Sequence, residues 1–469
     1  MGKRIQTAQT DDSQSHTAES GDHPPTCRRP AGRKPGPAPQ YETFGRQFSA
    51  LIDHCFPALN TWLDGLPDPR RQDMCTYLGR HIWWQIILTF LLRGGSRNAF
   101  DGDRNTGQLP ANVVRLCKQI WDDERLGTRQ TVTCTENAVY HASRVAVKAV
   151  AQVTVNMTRR LIQMRLLDSG RLFGRWWLIA VDGTLQDRGH DTKDGEARHR
   201  YVLAASLVGP FGIMIPMMSE FMDMHDPVRD KEDCELNAFG RLAKRLLSDF
   251  PRLPICLLMD GLYPVKPVFD LCEANGWKFI ATLREGRQPS SYDEAVQTMM
   301  MSPTHLFCGQ RLGEDGPVDQ TLRWTNAVPF GQHTFNVLFS GEISPMTASL
   351  WVWVTNLRLD VKRVYAIANH GGRARQGIEN VFNVEKNGGF GLEHTFCANT
   401  DASQNYHLMM QVAFILWQLL AKGVLQRLTR ACRKVTDVKL VELLRTSLQS
   451  ILISPGDQAF GQLRFYSSS

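Results

Sequence analysis

The sequence lacks any pair of cysteines at C-x-x-C spacing. Its eleven cysteines are scattered from Cys27 to Cys432. An odd, dispersed set in a chain of this length is typical of reduced, mostly buried thiols in a cytosol-like compartment. The pattern therefore gives no indication of a zinc module, whose ligands come in closely spaced pairs.

The sequence also lacks an apolar run long enough to cross a membrane. Ile82–Leu92 is too short for a bilayer core of about 30 Å, and Leu408–Leu425 is interrupted by three polar residues. Residues 1–40 contain no apolar segment of the kind that forms the core of a signal peptide. We expect both apolar runs to be buried helices and the protein to have no membrane partner.

Positive charge is only slightly in excess over negative charge. The 54 Lys and Arg against 47 Asp and Glu give a net charge of +7, which permits nucleic-acid binding without establishing it. Two stretches are locally basic: His141–Arg175 has seven basic residues and one acid, and Lys422–Lys439 has six basic residues and one acid. They suit a partner that offers phosphate groups along its length. The alternative is a pair of solvated helix faces.

The 469 residues are enough for two or three domains. Residues 1–40 are polar and Pro-rich with a basic stretch, and they cannot bury enough apolar surface to fold alone. Residues 41–170 show helical periodicity and predict a helical domain, which its basic faces make a candidate for DNA binding. Residues 426–469 form a basic C-terminal segment.

Between residues 171 and 290 the pattern changes to short apolar runs with turn signals. The runs that predict strands are Arg175–Val181, Tyr201–Val208, Ile213–Phe221, Ile255–Met259 and Trp277–Leu283, and those that predict helices are Asp233–Phe250 and Val265–Ala274. The order of three strands, helix, strand, helix and strand predicts an α/β fold with a mixed sheet and flanking helices. It is also the order of an RNase H-like core. Residues 291–360 predict a β-rich insertion, after which residues 361–425 complete the core.

Two aspartates follow strands of this predicted sheet. Asp182 and Asp260 each come directly after a buried-looking run and directly before Gly, and catalytic groups gather at the carboxyl ends of strands in open α/β sheets. If the two strands are neighbours, the carboxylates converge and repel each other unless a cation lies between them. Mg²⁺ fits, because it takes carboxylate oxygens and leaves positions for water and phosphate. The alternative is that each Asp-Gly is only a turn after a strand.

A third carboxylate, Glu379, lies in a segment with helical periodicity. Arg375 precedes it by four residues and Lys386 follows by seven, so all three are expected on one helix face. Ile378 and Phe382 are expected to anchor this helix to the sheet. An acid between two bases suits a metal ligand flanked by phosphate contacts. The alternative is an exposed Arg–Glu pair, which contributes little to stability.

At these residues the sequence resembles the DDE transposases of bacterial insertion sequences that carry a Y-x2-R-x3-E-x6-K signature. Arg375, Glu379 and Lys386 match the R, E and K at the required spacings, while Gly372 stands at the tyrosine position and Gln376 where an aromatic usually follows the arginine. The resemblance extends from about residue 67 to 420. The other matching segments are Val181–Thr184, Lys231–Leu236, Met259–Tyr263 and Asn387–His394.

The resemblance implies a metal-dependent enzyme that cleaves DNA at transposon ends and joins them to target DNA. Asp182, Asp260 and Glu379 would be the catalytic metal ligands, with Mg²⁺ as the cofactor and Mn²⁺ as a substitute. Arg375 and Lys386 would bind DNA phosphates. Trp324 would stack on an unpaired base, with burial in the core as its alternative.

The implied partner is double-stranded DNA, both transposon ends and target. The protein would act as a homodimer on that DNA, in the cytoplasm and associated with a bacterial nucleoid. The alternative functions are a metal-dependent nuclease of the same fold, which cuts without joining, and a decayed transposase that only binds DNA. Gly372 and Gln376 keep the second alternative open.

Overall fold

A computed structural model describes residues 41–118, 131–190, 197–222, 231–302, 304–313, 316–425 and 436–453. The predicted N-terminal tail lies outside these residues, as does most of the basic C-terminal segment. The described part is a mixed α/β structure with one nine-stranded sheet. Among the described residues, no helix is long and apolar enough to span a membrane.

The first part of the chain is helical, as its periodicity predicts. Its helices are α1 (Tyr41–Cys55), α2 (Leu59–Asp64), α3 (Gly79–Leu91), α4 (Arg97–Asp103), α5 (Leu109–Cys117), α6 (Thr135–Ala142) and α7 (Val147–Gln163). Helix α3 is buried on all sides from His81 to Leu91, which is the arrangement that an all-round apolar helix requires. The first apolar run of the sequence is therefore a buried helix.

The sheet is built from nine strands. They are β1 (Trp177–His190), β2 (Ala197–Val208), β3 (Met214–Met222), β4 (Ile255–Met259), β5 (Lys278–Thr282), β6 (Leu306–Gly313), β7 (Gly316–Phe330), β8 (His333–Ile343) and β9 (Ala348–Thr355). Their spatial order is β3-β2-β1-β4-β5-β9-β8-β7-β6. β1, β4 and β5 are parallel neighbours, and the other neighbouring pairs are antiparallel.

The strand-rich segment that the sequence predicts as an insertion is part of this same sheet. Ile280 of β5 lies opposite Thr355 of β9 in an antiparallel pair, and the hydroxyl of Thr355 donates to the Phe279 carbonyl at 2.5 Å. The strands β6–β9 thus extend the central sheet at the β5 edge. β5 is therefore paired on both edges, and the parallel strands β4 and β5 are also buried, as parallel sheets require.

The remaining helices pack against the sheet or against the N-terminal helices. They are α8 (Lys231–Asp249), α9 (Lys266–Ala274), α10 (Pro289–Met301), α11 (Gln376–Asn387), α12 (Thr400–Gln418) and α13 (Asp437–Ser450). Helix α12 contacts α3, α6, α7 and β3, and its residues are buried from Ala402 to Gln418 apart from Gln404. It therefore joins the helical part and the sheet into one core, and the second apolar run is also a buried helix.

The prediction that the first strand ends at Asp182 was wrong. Strand β1 continues to His190, and Asp182 lies within it, opposite Ala204 of β2. The sequence Asp182-Gly183 has turn character, but hydrogen bonding to the long antiparallel neighbour β2 overrides that local preference. Only the pairing of β1 with β4 stops before Asp182, at the pair Ala180 and Leu258.

Candidate active site

Asp182 and Asp260 come together through the register of two parallel strands. Ala180 of β1 pairs with Leu258 of β4, and each aspartate lies two residues further along its own strand direction. The two carboxylates are therefore side by side where β4 ends. This is the edge of a parallel sheet at which catalytic groups gather, and it is the neighbour relation that the sequence analysis required.

The backbone holds both aspartates in place. The Gly183 amide donates to Asp182 Oδ1 at 3.1 Å, and the Leu262 amide donates to Asp260 Oδ1 at 2.8 Å. The Asp182 side chain is only 21% exposed. Burial, together with the nearby charges of Asp260 and Glu379, raises its pKa to about 6 against the opposing charge of Arg375. The site therefore carries more negative charge than Arg375 balances, which is the condition under which a further cation binds.

Arg375 connects Asp182 with the third carboxylate. Its Nη1 donates to Asp182 Oδ2 at 3.2 Å, and its Nη2 donates to Glu379 Oε1. The arginine is 17% exposed, whereas Glu379 is 48% exposed. The Arg–Glu pair that the sequence left as a purely structural alternative is thus present, but it also reaches into the pair of aspartates. The three predicted carboxylates belong to one cluster.

The helix that is predicted to carry both Arg375 and Glu379 is interrupted before Arg375. A helical turn at Val364–Ala366 leads into a π-helical turn, Ile367–Gly371, and a 3-10 turn, Gly372–Arg375, before α11 begins. Gly371 breaks the helical path with φ −106° and ψ −85°. Arg375 is therefore the residue before α11 rather than part of its face, and its contact with Glu379 spans the helix start.

The predicted anchoring of α11 is confirmed. Ile378 and Phe382 are buried and anchor the helix, which contacts β1 and β3. Glu379 lies in the first turn, where the helix dipole favours an acid, and Lys386 lies in the last turn, where it favours a base. Lys386 pairs with Glu393 at 2.9 Å, so it does not contact the carboxylate cluster.

The glycine at the tyrosine position of the signature has a steric cause. A Cβ atom on Gly372 would lie 2.5 to 2.8 Å from the ring of Trp353, which is 1% exposed in β9. Trp353 occupies the space that any side chain at this position would need. At Gly377 the steric conflict is weaker, since a Cβ atom there would lie 3.0 Å from the Met214 sulfur. These contacts explain the two glycines through packing of the chain against itself.

We expect Gly372→Ala to lower the free energy of unfolding by about 1 to 3 kcal/mol, because the added methyl overpacks against a buried indole. Gly240→Ala is the matched control: Gly240 lies in helix α8, where an added Cβ would meet no described atom within 4 Å. There the same change should stabilise by about 0.5 to 1 kcal/mol. Urea unfolding of both variants measures the difference, and equal stability of the Gly372 variant and the parent would contradict the packing argument.

Trp324 is part of the core. It is 3% exposed, and its ring stacks on His305 with 5.3 Å between centroids and 13° between planes. Its carbonyl also lies 3.2 Å from His305 Nδ1. Of the two alternatives for this tryptophan, the structure therefore shows core packing, and its ring is not available to an unpaired base in this conformation.

Most bases of the first basic stretch are engaged within the chain. Arg159 binds the Asp249 carbonyl at 2.7 Å and its carboxylate at 3.0 Å, and Arg160 binds the Cys55 carbonyl. The arginines that lie over aromatic rings are Arg144, Arg171 and Arg175. Arg159 and Arg160 are thus used within the fold, whereas Arg144 and Arg175 are exposed. Of the second stretch, Lys422 binds the Gly212 carbonyl, and residues 426–435 lie outside the described part.

Three further residues belong to the site. Arg284 Nη2 lies 3.7 Å from Asp260 Oδ2. Glu235 of α8 approaches Gly183, since a Cβ there would lie 2.5 Å from Glu235 Oε1. Tyr263 is 1% exposed, its hydroxyl has no hydrogen-bond partner in the described residues, and burial together with the charges of Glu235 and the two aspartates raises its pKa. Glu235 and Tyr263 lie in segments whose sequences resemble the transposases, and this resemblance is the signal in the sequence that could have identified them.

The donor set is suited to a hard divalent cation. Its oxygen ligands, Asp182, Asp260 and Glu379, are those that Mg²⁺ or Mn²⁺ prefers. As the side chains stand, no three His, Cys, Asp or Glu residues within the described ranges form a ready-made metal cluster. Arg375 is instead the cation that contacts Asp182 and Glu379. The residue types therefore fit a divalent metal ion, and its binding requires the Arg375 guanidinium to move.

The structure thus places four carboxylates, two arginines and a buried tyrosine where the pairing of the parallel strands β1 and β4 ends. The arrangement combines excess negative charge with guanidinium groups at its border. Such a site can bind cations at its centre and phosphate groups at its margin. Comparison of the chain with protein-family models and with curated proteins gives no match.

Proposed function

We propose that the protein is a DNA transposase of the DDE type with an RNase H-like catalytic core. The observation that carries the proposal is the side-by-side placement of Asp182 and Asp260, with Arg375 linking Asp182 to Glu379. The chain order of β1–β3, α8, β4, α9 and β5 is that of an RNase H-like core and gives further support.

Asp182, Asp260 and Glu379 would hold Mg²⁺ or Mn²⁺. When bound, the ions supply the charge stabilisation that phosphoryl transfer needs at the attacking and leaving oxygens. The carboxylates orient the site and stay ionised once cations balance them, which lowers the raised pKa of Asp182. Arg375 would exchange its carboxylate contacts for the fork-like recognition of a phosphate.

The chemistry comprises two displacements at phosphorus. First, water adds to a phosphodiester at the transposon end, the bond to the 3′ oxygen breaks, and that oxygen leaves as a 3′-OH. Next, this 3′-OH attacks a phosphodiester of target DNA, a new 3′–5′ bond forms, and the target's own 3′ oxygen departs with the proton. One site serves both steps, because only the nucleophile differs.

The partners of the proposed enzyme are the transposon ends and target DNA, both double-stranded. Because two ends must be held together for their joint insertion, we propose a homodimer on DNA. Lys386 lies at the far end of α11 and would contact the DNA backbone after releasing Glu393. The proposed location is the cytoplasm of a bacterium, at the nucleoid.

The test is incubation of the purified protein with Mg²⁺ or Mn²⁺ and labelled DNA that carries the ends flanking its own gene. We expect metal-dependent nicking at those ends, followed by joining to a second DNA. Glu379→Gln should lose both products while retaining DNA binding. Cutting without joining would assign the protein as a nuclease instead, and binding without metal-dependent chemistry would leave a DNA-binding relic.

A further inference from the structure

A polar cavity lies beside the carboxylate site, between the outer strands and the start of α11. Its volume is about 310 Å³. It is lined by Arg311 of β6, Glu342 of β8, Ser349 of β9 and, from the active-site segment, Arg373 and Gln376. The last two flank Arg375 in sequence. The cavity therefore shares its wall with the segment that carries a residue of the catalytic cluster.

The two arginines of the cavity share a single carboxylate. Arg311 donates to Glu342 Oε2 at 2.7 Å through Nη2, and Arg373 donates to Glu342 Oε1 at 3.0 Å through Nε. Burial raises the pKa of Glu342, but the hydrogen bonds and charges of Arg311 and Arg373 outweigh it and lower the pKa to about 2. The group of three therefore carries a net charge of +1 at neutral pH.

The carboxylate is saturated, whereas the arginines are not. Gln320 and Ser340 also donate to Glu342 Oε1, at 2.9 and 3.1 Å. Within the described residues, no hydrogen bond involves Nη1 of Arg311 or of Arg373. Arg373 is fixed on its other side by Trp351, whose ring centre lies 4.9 Å from the guanidinium carbon. Both guanidinium groups are thus oriented and retain donors at the cavity.

We propose that this cavity is a binding site for a phosphate group, and that the group is a phosphodiester of the DNA strand held at the neighbouring carboxylates. The choice of DNA rests on the proposed function; the choice of phosphate rests on the paired arginines. Two oriented guanidinium groups recognise the oxygens of a phosphate with charge-assisted hydrogen bonds. The cavity is large enough for one phosphate with its attached sugars and opens to solvent at exposed residues such as Thr347 and Ser349.

The position of the cavity would allow a bound phosphate to hold the segment before α11 in place. Arg373 lies two residues before Arg375, and Asn369 of the same segment hydrogen-bonds to Gln320 at 2.8 Å. A phosphate bound to Arg373 would therefore hold the segment that precedes α11. Gln376, which stands where an aromatic usually follows the signature arginine, lines this cavity. Its amide offers a further donor to a phosphate.

The test changes the cavity without altering Arg311, Glu342 or Arg373. Ser349 is exposed and lies opposite Glu342 in the strand register, so Ser349→Glu places a second acid beside the arginines, and Ser349→Gln is the neutral control of the same size. Binding of a short fluorescein-labelled DNA is measured by anisotropy against salt, in EDTA. We expect the Glu variant to bind about tenfold more weakly than the Gln variant, with a salt slope smaller by about one.

A second arm identifies the source of the phosphate. Thermal unfolding is followed with inorganic phosphate and, for comparison, with chloride at equal ionic strength. If phosphate raises the Tm of the Gln variant but not of the Glu variant while DNA binding is equal, the cavity takes free phosphate groups and the DNA part of the proposal fails. If neither DNA nor phosphate distinguishes the two variants, the site does not exist. Because EDTA prevents cleavage, either result is independent of whether the protein proves to be a transposase.

Discussion

Asp182→Asn is expected to reduce metal-dependent cleavage of transposon-end DNA by about a thousandfold. The carboxylate is a central member of the cluster, between Asp260 and Arg375, and an amide cannot supply the negative charge that holds a divalent cation. Metal-ion catalysis stabilises the transition state by several kcal/mol, and each 1.36 kcal/mol corresponds to a factor of ten in rate. The measurement is the initial rate of nicking in Mg²⁺, with DNA affinity determined in parallel.

Asp293→Asn provides the control for this result. Asp293 is an exposed aspartate in α10, so the same loss of one negative charge should leave the nicking rate unchanged. EDTA should abolish nicking by the parent and by this control. Cleavage at the parental rate by the Asp182 variant would remove the residue from the catalytic site, and the proposed function would then lose its main support.

The same Asp182→Asn change is expected to stabilise the fold at pH 8 in EDTA, by up to about 3 kcal/mol. The Asp182 pKa of about 6 in the folded protein lies above its ordinary value, mainly because of burial. At 1.36 kcal/mol per pH unit, a rise of this size disfavours the ionised folded protein by about 3 kcal/mol. Asparagine carries no charge and avoids this cost.

The sign of the pH dependence follows from the direction of that shift. A raised folded pKa means that the contribution of Asp182 to stability is complete below about pH 4 and is lost as the pH rises through about 6. The variant and the parent should therefore unfold at similar urea concentrations near pH 4, diverge as the pH rises to about 6, and keep the full difference above that pH. A variant that is less stable than the parent at pH 8 would show that Arg375 outweighs burial. Loss of activity together with gain of stability is typical of a functional residue.

The sequence allowed the elements of the site to be predicted, because strand and helix patterns are local. Buried runs before Asp182 and Asp260 marked two strands, and a period of 3.6 marked the helix of Glu379. That the two strands are parallel neighbours depends on the packing of the whole sheet, and no local pattern contains it. The end of β1 was mispredicted for the same reason, since β2 is its partner from a later part of the chain.

Residues that reach the site from a distant element were beyond local prediction. Glu235 approaches Gly183 only because α8 packs against β2 and β3, and Arg284 reaches Asp260 from the segment after β5. The cavity formed by Arg311 and Arg373 depends on strands β6–β9 joining the sheet. The sequence also could not decide whether Trp324 is buried, because an aromatic residue in a strand has the same local pattern whether it faces solvent or the core.

The antiparallel junction of β5 with β9 makes the outer strands inseparable from the catalytic sheet. Deleting residues 291–360 to obtain a minimal core would leave the backbone amides and carbonyls of β5 that face β9 without partners and would open a parallel strand edge to solvent. Such an edge invites pairing with another chain and aggregation. The deletion would also remove Trp353 from beside Gly372, so it would leave a void next to the segment that carries Arg375. A smaller variant of the protein therefore has to keep strands β6–β9.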